Sequence, residues 1–466
     1  MSQIDAILKE QYNRVFNHSL KWEIIKPCLV DNGIIKLDDS SKYACLRLFE
    51  EANVNIKFFI PASGSGSRMF TFLKDIEEGK YQIKDENVVN FFRSIEKFAF
   101  WDLLPNWLKE QLELENNYTA VLSYLFSENG FNFKNIPKGL IPFHRYPDYI
   151  LNPFQEQVLQ AHKIRKECSS LHFTIQDKYK NAIGHSIREV TSEEIAAKIE
   201  FSVQSCDSDV QAFDLNGVPV IDLNGHSLKM PAGHGALLKN LNALQDEIIL
   251  VKNIDNVVYQ DKIDDSIAMW KELVGLMLLM RSEAEKIWEN PSMQLFYDFN
   301  KRFQLLNEEE LGLIKDSLQV KEVLDRPYRI CGMVRNQGEP GGGPFWVKNN
   351  GSISKQIVEK SQIPDNKSNR TIISQSTHFN PVIMVVSNRS LTGEKYDLES
   401  FADHSSYLIV EKNYKGQEIK FAELPGLWNG GMANWNSIFV EVPDTVFSPV
   451  KSLMDLLRPD HMGELE

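Results

Sequence analysis

Three places in this chain put residues where they could hold phosphate and a metal. The segment Ala62-Ser-Gly64-Ser65-Gly66-Ser67-Arg68-Met69 sets two glycines and a forked cation in one short loop. Glycine has no Cβ, so backbone N–H groups can approach a phosphate closely, and a helix beginning after the loop adds a dipole that favours anions. Arg68 supplies a planar guanidinium suited to phosphate. The loop is not a P-loop, since no Gly-Lys-Ser/Thr follows, and Met69 stands where a dinucleotide fingerprint has its third glycine. Lys138, in Pro137-Lys138-Gly-Leu-Ile-Pro142, can neutralise phosphate charge. Asp255, in Asn253-Ile-Asp255-Asn256, follows the apolar run Ile248-Ile-Leu-Val251. A carboxylate beyond the carboxyl end of such a strand faces the ligand crevice of an open α/β sheet and suits Mg²⁺. Taken singly, a flexible turn, a solvated lysine and a turn-capping aspartate are the ordinary alternatives.

Further segments could read the rest of a ligand. Pro231-Ala-Gly233-His234-Gly235 opens a helix with paired glycines, which suits close backbone approach to a base or ribose; His234 alone is more often structural. Gln204 ends the β-rich run Ile199-Glu-Phe-Ser-Val-Gln204. In Glu339-Pro-Gly341-Gly342-Gly343-Pro344 the glycines expose backbone, and Glu339 can accept sugar hydroxyls; a surface loop is the alternative. Asn434 stands in another glycine-containing loop, Asn429-Gly-Gly-Met-Ala-Asn434-Trp-Asn436.

These residues need strands and helices behind them. Val54-Asn-Ile-Lys-Phe-Phe-Ile60 reads as a strand running into the 62–69 loop. Residues 1–55 read as helical and polar, and 85–130 as helical with an aromatic core. A helix is predicted from about Phe154 to Cys168, and strands near His172–Gln176 and Ile199–Gln204. Two Asp-Leu-Asn-Gly steps, at 214–217 and 222–225, predict a hairpin. Residues 266–325 read as mostly helical, and the remainder alternates short strands with polar loops.

Composition narrows the function classes. The chain has 466 residues, 42% of them hydrophobic and 25% charged, which is globular composition. Its net charge of −13, with no Lys/Arg cluster, argues against nucleic acid. Five cysteines, Cys28, Cys45, Cys168, Cys206 and Cys331, form no C-x-x-C pair, which reads as reduced thiols and not a disulfide framework or zinc site. The first residues lack a basic and then apolar signal pattern, and no apolar run is long enough to span a bilayer; the cytoplasm is the expected compartment, with no membrane partner.

The order of these motifs resembles the sugar nucleotidyltransferases. Gly64-Ser-Gly66-Ser-Arg68-Met69 resembles their G-x-G-T-R-[ML] signature, and Pro137-Lys138-Gly-Leu-Ile-Pro142 their P-K-x-L-[LIV]-P element. Gln204, Pro231-Ala-Gly233-His234-Gly235 and Ile254-Asp255-Asn256 are similar to the ordered run of the UDP-sugar pyrophosphorylases. The whole chain also resembles a bacterial family of unknown function with a P-A-S-G-x-x-x-R-M loop. The resemblance implies an α/β fold, the glycosyltransferase-A-like (Rossmann-like) three-layer α/β/α nucleotidyltransferase sheet, with helical N-terminal and inserted segments. The expected organisation is a helical segment 1–55, a nucleotide-binding core 56–265, a helical insertion 266–325 and a mixed α/β part 326–466 on the sugar side. It implies that Gly64, Ser65, Gly66, Ser67 and Arg68 hold a UTP-like triphosphate, that Lys138 meets phosphate charge, and that Gln204, Gly233, His234 and Gly235 face the base. Asp255 would hold Mg²⁺, while Glu339, Gly341, Gly342, Gly343 and Asn434 would serve the sugar 1-phosphate. The alternative is a non-catalytic nucleotide- or sugar-phosphate-binding protein on the same fold. Ser67 stands where the signature has Thr, and no second metal carboxylate is identifiable.

Overall fold

The structure, a computed structural model, describes residues 3–17, 22–80, 86–115, 118–165, 169–204, 208–222, 224–336, 338, 342–349 and 351–463. The chain divides into two compact units, each built from separate stretches of sequence. The first contains Met1–Ile56, Gln204–Val251 and Lys271–Asp444; the second contains Lys57–Val203, Lys252–Trp270 and Thr445–Glu466.

In the first unit, β-branched and apolar runs line up as a mixed sheet. Its strands are Leu29–Val30, Gly33–Ile35, Asn436–Glu441, Tyr328–Arg335, Met384–Ser387 and Ile248–Val251, in that spatial order. The first four are parallel to one another, and Met384–Ser387 is antiparallel on both sides. Every residue of Ile248–Val251 is buried, which is why this strand reads as a continuous apolar run and not as an alternation. A separate antiparallel sheet joins Glu23–Pro27, Gly343–Asn349 and Ser352–Val358.

Residues 1–55 depart from the all-helical reading. Two helices, Gln3–Phe16 and Asp39–Glu51, flank the short strands Glu23–Pro27, Leu29–Val30 and Gly33–Ile35. Glu23–Pro27 and Gly33–Ile35 take partners far along the chain, Gly343–Asn349 and Asn436–Glu441, and Leu29–Val30 pairs with Gly33–Ile35. A run of two to five residues carries too little periodicity to declare itself, so its state is set by that distant pairing. The expected helical stretch 266–325 forms as Asp264–Glu289, Met293–Phe303, Glu308–Leu313 and Ser317–Leu324.

The second unit places the strands Ile56–Pro61, Ser169–Ile175 and Ile199–Val203 side by side, the last two parallel. Helix Pro153–Ile164 starts where the sequence dictates. Asn152 and Gln155 form a reciprocal capping box, and Pro153 occupies the first turn, where its missing N–H costs nothing. The aromatic stretch between residues 85 and 135 makes a core with Phe70, whose ring stacks on Phe133 at 5.1 Å. Val450, Leu453 and Leu456 from the end of the chain pack into the same core, which seats the residues between them.

One packing contact in the first unit gives a direct test. Gly275 in helix Asp264–Glu289 lies against helix Asp39–Glu51, and a Cβ there would come within 1.9 Å of the Cys45 carbonyl oxygen. Alanine in an exposed helix would stabilise by roughly 0.5–1 kcal/mol. Here the helices would have to part, so Gly275→Ala should destabilise by about 1–3 kcal/mol. Urea denaturation measures the sign; a more stable variant would refute this packing.

Candidate phosphate-binding site

The strand Ile56–Pro61 gives way to the loop through Ala62, whose N–H donates to the Thr174 carbonyl at 2.9 Å, and Gln176 holds the Ser63 carbonyl at 2.6 Å. A short 3-10 turn, Gly66–Phe70, then leads into helix Thr71–Glu77. The loop is laced to the segment that carries Lys138. Gly66 N–H donates to the Ile136 carbonyl at 3.4 Å, Lys138 N–H donates to the Gly64 carbonyl at 3.2 Å, and Ser65 pairs with Pro137. Gly66 is buried, and a Cβ there would sit 2.6 Å from Ile141 Cδ1. Gly139 allows the next approach, because a Cβ would fall 2.5 Å from the Phe154 ring. Both glycines thus have packing duties. Gly64 has open space around it. Ser65 makes no side-chain cap and bonds Ser67 Oγ at 3.1 Å instead, which leaves first-turn N–H groups for solvent or a ligand. Arg68 is exposed, and no hydrogen bond or ion pair engages its guanidinium among the described residues.

Lys138 and Asp255 meet. Lys138 Nζ donates to Asp255 Oδ2 at 2.7 Å and also to the Val450 carbonyl. Lys451 Nζ donates to the same Oδ2 at 2.9 Å. Asp255 is 7% exposed, and its Oδ1 is buried without a hydrogen-bond partner. Burial alone would raise this carboxyl, but the Lys451 and Lys138 ammonium groups outweigh it and hold it below the usual carboxylate range. Burial draws Lys138 down, with the Asp255 carboxylate opposing. Sequence reasoning did not find Lys451. It comes from the far end of the chain, and Asp255 and Asn256 hold that end in place: Val450 N–H donates to the Asp255 carbonyl at 3.2 Å, and Ser448 N–H donates to Asn256 Oδ1 at 3.0 Å. Asp455 then caps the turn by accepting from the Lys451 and Ser452 N–H groups. The Ser452-x-x-Asp455 capping pattern is the local signal that an ordered turn, and so a positioned Lys451, lies there.

A buried polar chain supports the same segment. His144 Nδ1 lies 2.6 Å from Glu156 Oε1, His144 Nε2 lies 3.0 Å from His461 Nδ1, and His461 Nε2 lies 3.2 Å from Ser448 Oγ. Lys252, at the end of the apolar strand, donates to Gln160; burial draws its ammonium down to about 7, the Glu156 carboxylate opposing.

The residues expected at the base lie in the first unit and form their own cluster. Gln204 Nε2 reaches the Gly233 carbonyl at 3.5 Å. His234 stacks on Trp428 with centroids 4.2 Å apart, accepts the Leu427 N–H on Nδ1 at 3.0 Å, and lies 3.5 Å from Glu359 through Nε2. Gly233 has φ +72°, which favours glycine, and a Cβ at Gly235 would meet the Pro425 carbonyl at 2.2 Å. Gly342 and Gly343 pack into sheet: Cβ atoms there would meet Ile357 and Phe345, each at 2.5 Å. Glu339 and Gly341 lie outside the described residues. Asn434 is exposed and lines a cavity of the first unit.

The mixed sheet, the loop after a strand and the strand-terminal aspartate belong to an α/β nucleotidyltransferase-like fold. The UDP-N-acetylglucosamine pyrophosphorylase of Trypanosoma brucei, in complex with inhibitor, is similar to this chain with a TM-score of 0.51 and 12% identity, over 98% of this chain and 75% of that one. The UDP-glucose phosphorylase of Trypanosoma brucei aligns with a TM-score of 0.43 and 12% identity, over 94% and 69%. The chain belongs to the family described as Domain of unknown function (DUF4301), which it matches over residues 3–462. No curated protein matches the chain. Among the described residues, no helix is long and apolar enough to cross a membrane.

The histidine chain makes stability pH-dependent. Burial, with the His144 ring and Arg458 nearby, pushes His461 down to about 3. An unfolded histidine titrates near ~6.5. Between those values the unfolded chain binds the extra proton, so this contribution is complete above about 6.5 and is lost as pH falls toward about 3. The melting temperature should fall over that window, and His461→Gln should flatten the slope. An unchanged slope in the variant would assign the loss to other groups.

Proposed function

We propose that this protein transfers a nucleotidyl group from a UTP-like nucleoside triphosphate to a sugar 1-phosphate. The observation that carries the reading is one buried carboxylate, Asp255, with two ammonium groups on a single oxygen, beyond an apolar strand and beside a loop that follows another. One negative and two positive charges leave a local excess that a phosphate group would balance. The ordered motifs of the sequence and the likeness of fold to a UDP-N-acetylglucosamine pyrophosphorylase support a UDP-sugar product.

In this reading an oxygen of the sugar 1-phosphate attacks the α-phosphorus in line. The bond from that phosphorus to the bridging oxygen breaks, and its electron pair leaves with pyrophosphate. The attacking phosphate is already ionised, so no general base is needed. Lys138 and Lys451 stabilise charge on the transferring and leaving groups, and Arg68 holds the triphosphate tail; positioning and electrostatics supply the catalysis.

For magnesium the residues fit at one atom. Asp255 Oδ1 accepts no hydrogen bond, while Oδ2 is already taken by both lysines. Asp255 would therefore be a single protein ligand to an ion arriving on the triphosphate, where Mg²⁺ neutralises phosphate charge. The same shortage of carboxylates favours the second reading, a protein that binds the nucleotide or sugar phosphate without turnover.

Pyrophosphate release, with each triphosphate against a panel of sugar 1-phosphates, separates the two readings. Turnover is expected with at least one pair, and binding without release would select the second. Lys451→Met and Arg68→Ala should each weaken triphosphate binding by ~1.5–3 kcal/mol, the range for hydrogen bonds to charged groups. Calorimetry showing unchanged affinity in both would remove these residues from the site.

A further inference from the structure

Helix Pro153–Ile164 of the second unit buries polar side chains that its own stability does not require. Glu156, Gln157 and Gln160 are 2%, 1% and 4% exposed. An apolar side chain would serve the helix equally well, whereas a buried amide or carboxylate loses water and must find partners in the protein. Glu156 Oε1 accepts from the Tyr146 hydroxyl and meets His144, the start of the chain through His461 to Ser448. Gln160 accepts from Lys252 Nζ and donates to Ser266 Oγ at 2.8 Å.

Gln157 holds the backbone that leads into Asp255. Its Nε2 donates to the Asn253 carbonyl at 3.1 Å and to the Ile254 carbonyl at 3.3 Å, the two carbonyls immediately before Asp255. These partners settle how the amide is turned, since only its nitrogen can donate to two acceptors. Its Oε1 is buried with no hydrogen-bond partner, a penalty that packing of the helix does not explain. Gln157 and Gln160 are three residues apart and share a helix face, so residues 252–254 run along that face. Within the turn itself, the Asn256 N–H donates to the Asn253 carbonyl at 3.3 Å, longer than an ordinary backbone bond. The turn therefore takes its shape from the helix as much as from itself.

The turn in turn places the charged groups. Asp255 Oδ2 accepts from Lys138 and Lys451, the Asp255 carbonyl accepts the Val450 N–H, and Asn256 Oδ1 accepts the Ser448 N–H. A shift of the turn moves the carboxylate and segment 448–451 together, and a misplacement of about 1 Å is enough to disable a site that works by positioning. We infer that Gln157 is a positioning residue of the candidate phosphate site: its amide sets the turn that presents Asp255 and, through Asp255 and Asn256, the segment that carries Lys451. The inference rests on the reading of that cluster as a phosphate site, and it gives Gln157 no contact with the ligand.

Two measurements on the full chain test it, with Gln157→Met, which keeps the length of the side chain without its N–H groups, and Gln155→Met as the control. Gln155 lies on the same helix but bonds Asn152, Ser186 and Glu189, so its loss weakens the helix without touching the turn. In the ligand-free protein, the Ser448 and Val450 amides should exchange about tenfold faster in Gln157→Met, relative to an amide of the strand Ser169–Ile175, with that ratio unchanged in Gln155→Met. Calorimetry with UTP and Mg²⁺ should show affinity lower by about fivefold to tenfold in Gln157→Met and within about twofold of wild type in Gln155→Met. Gln157→Asn, whose amide is one methylene short of the two carbonyls, carries the same expectations and serves if the methionine variant does not fold. Unchanged exchange at Ser448 and Val450, equal changes in the control, or wild-type UTP affinity in the Gln157 variants overturns the inference. A wild-type protein that neither binds UTP nor releases pyrophosphate counts against the proposed reaction, and the exchange measurement then decides by itself whether Gln157 sets the turn.

Discussion

A buried carboxylate stays charged only if something nearby compensates for the water it has lost. Asp255 solves this with two ammonium groups on one oxygen, and much of the second unit is arranged to deliver them. Lys138 arrives because the serine-glycine loop is hydrogen-bonded to the segment 136–138. Lys451 arrives because Asp255 and Asn256 hold the last part of the chain through backbone bonds, while Val450 and Leu453 anchor it in the aromatic core. The carboxylate is thus an organiser before it is anything else. Removing its charge would leave two cations facing each other, and breaking a buried pair is costly because the remaining charge has no partner.

This arrangement was half visible in the sequence. Asp255 could be found because it follows four consecutive apolar residues, and Lys138 because it sits between prolines and beside a glycine. Neither observation said that the two side chains touch, since 117 positions separate them. Lys451 lies 196 positions from Asp255. A lysine in a short irregular segment carries no periodic signal; only the capping pair Ser452 and Asp455 marks the turn. The glycines were legible as places where backbones come close. At Gly66 and Gly139 the approaching group is Ile141 or Phe154, so a sequence cannot separate a glycine kept for a ligand from one kept for a neighbour.

The fold was legible to the extent that its elements are long or locally capped. Helix Pro153–Ile164 announces itself through Asn152, Pro153 and Gln155, and the strand Ile248–Val251 through continuous burial. The short strands Glu23–Pro27 and Gly33–Ile35 do not, because they pair with strands beyond residue 340. Local propensity is weak there and distant pairing decides. The same holds for the units themselves. Each is assembled from three stretches of sequence, so no linker composition marks a boundary.

The chain's net charge of −13 and its locally unbalanced cations belong to one electrostatic scheme. An excess of surface carboxylate repels long polyanions, which must lay many phosphates along a protein at once. A single phosphate group needs only one or two cations, provided water is kept away from them, since charge interactions strengthen as the local dielectric falls. Asp255 with its two lysines has such an arrangement in the second unit. Lys138 is largely buried there, and burial draws its ammonium down against the pull of the Asp255 carboxylate. A small anion relieves that penalty and a neutral ligand does not. In the proposed reading, a preference for compact phosphorylated molecules would follow from where the positive charge is placed and not from how much of it the chain carries.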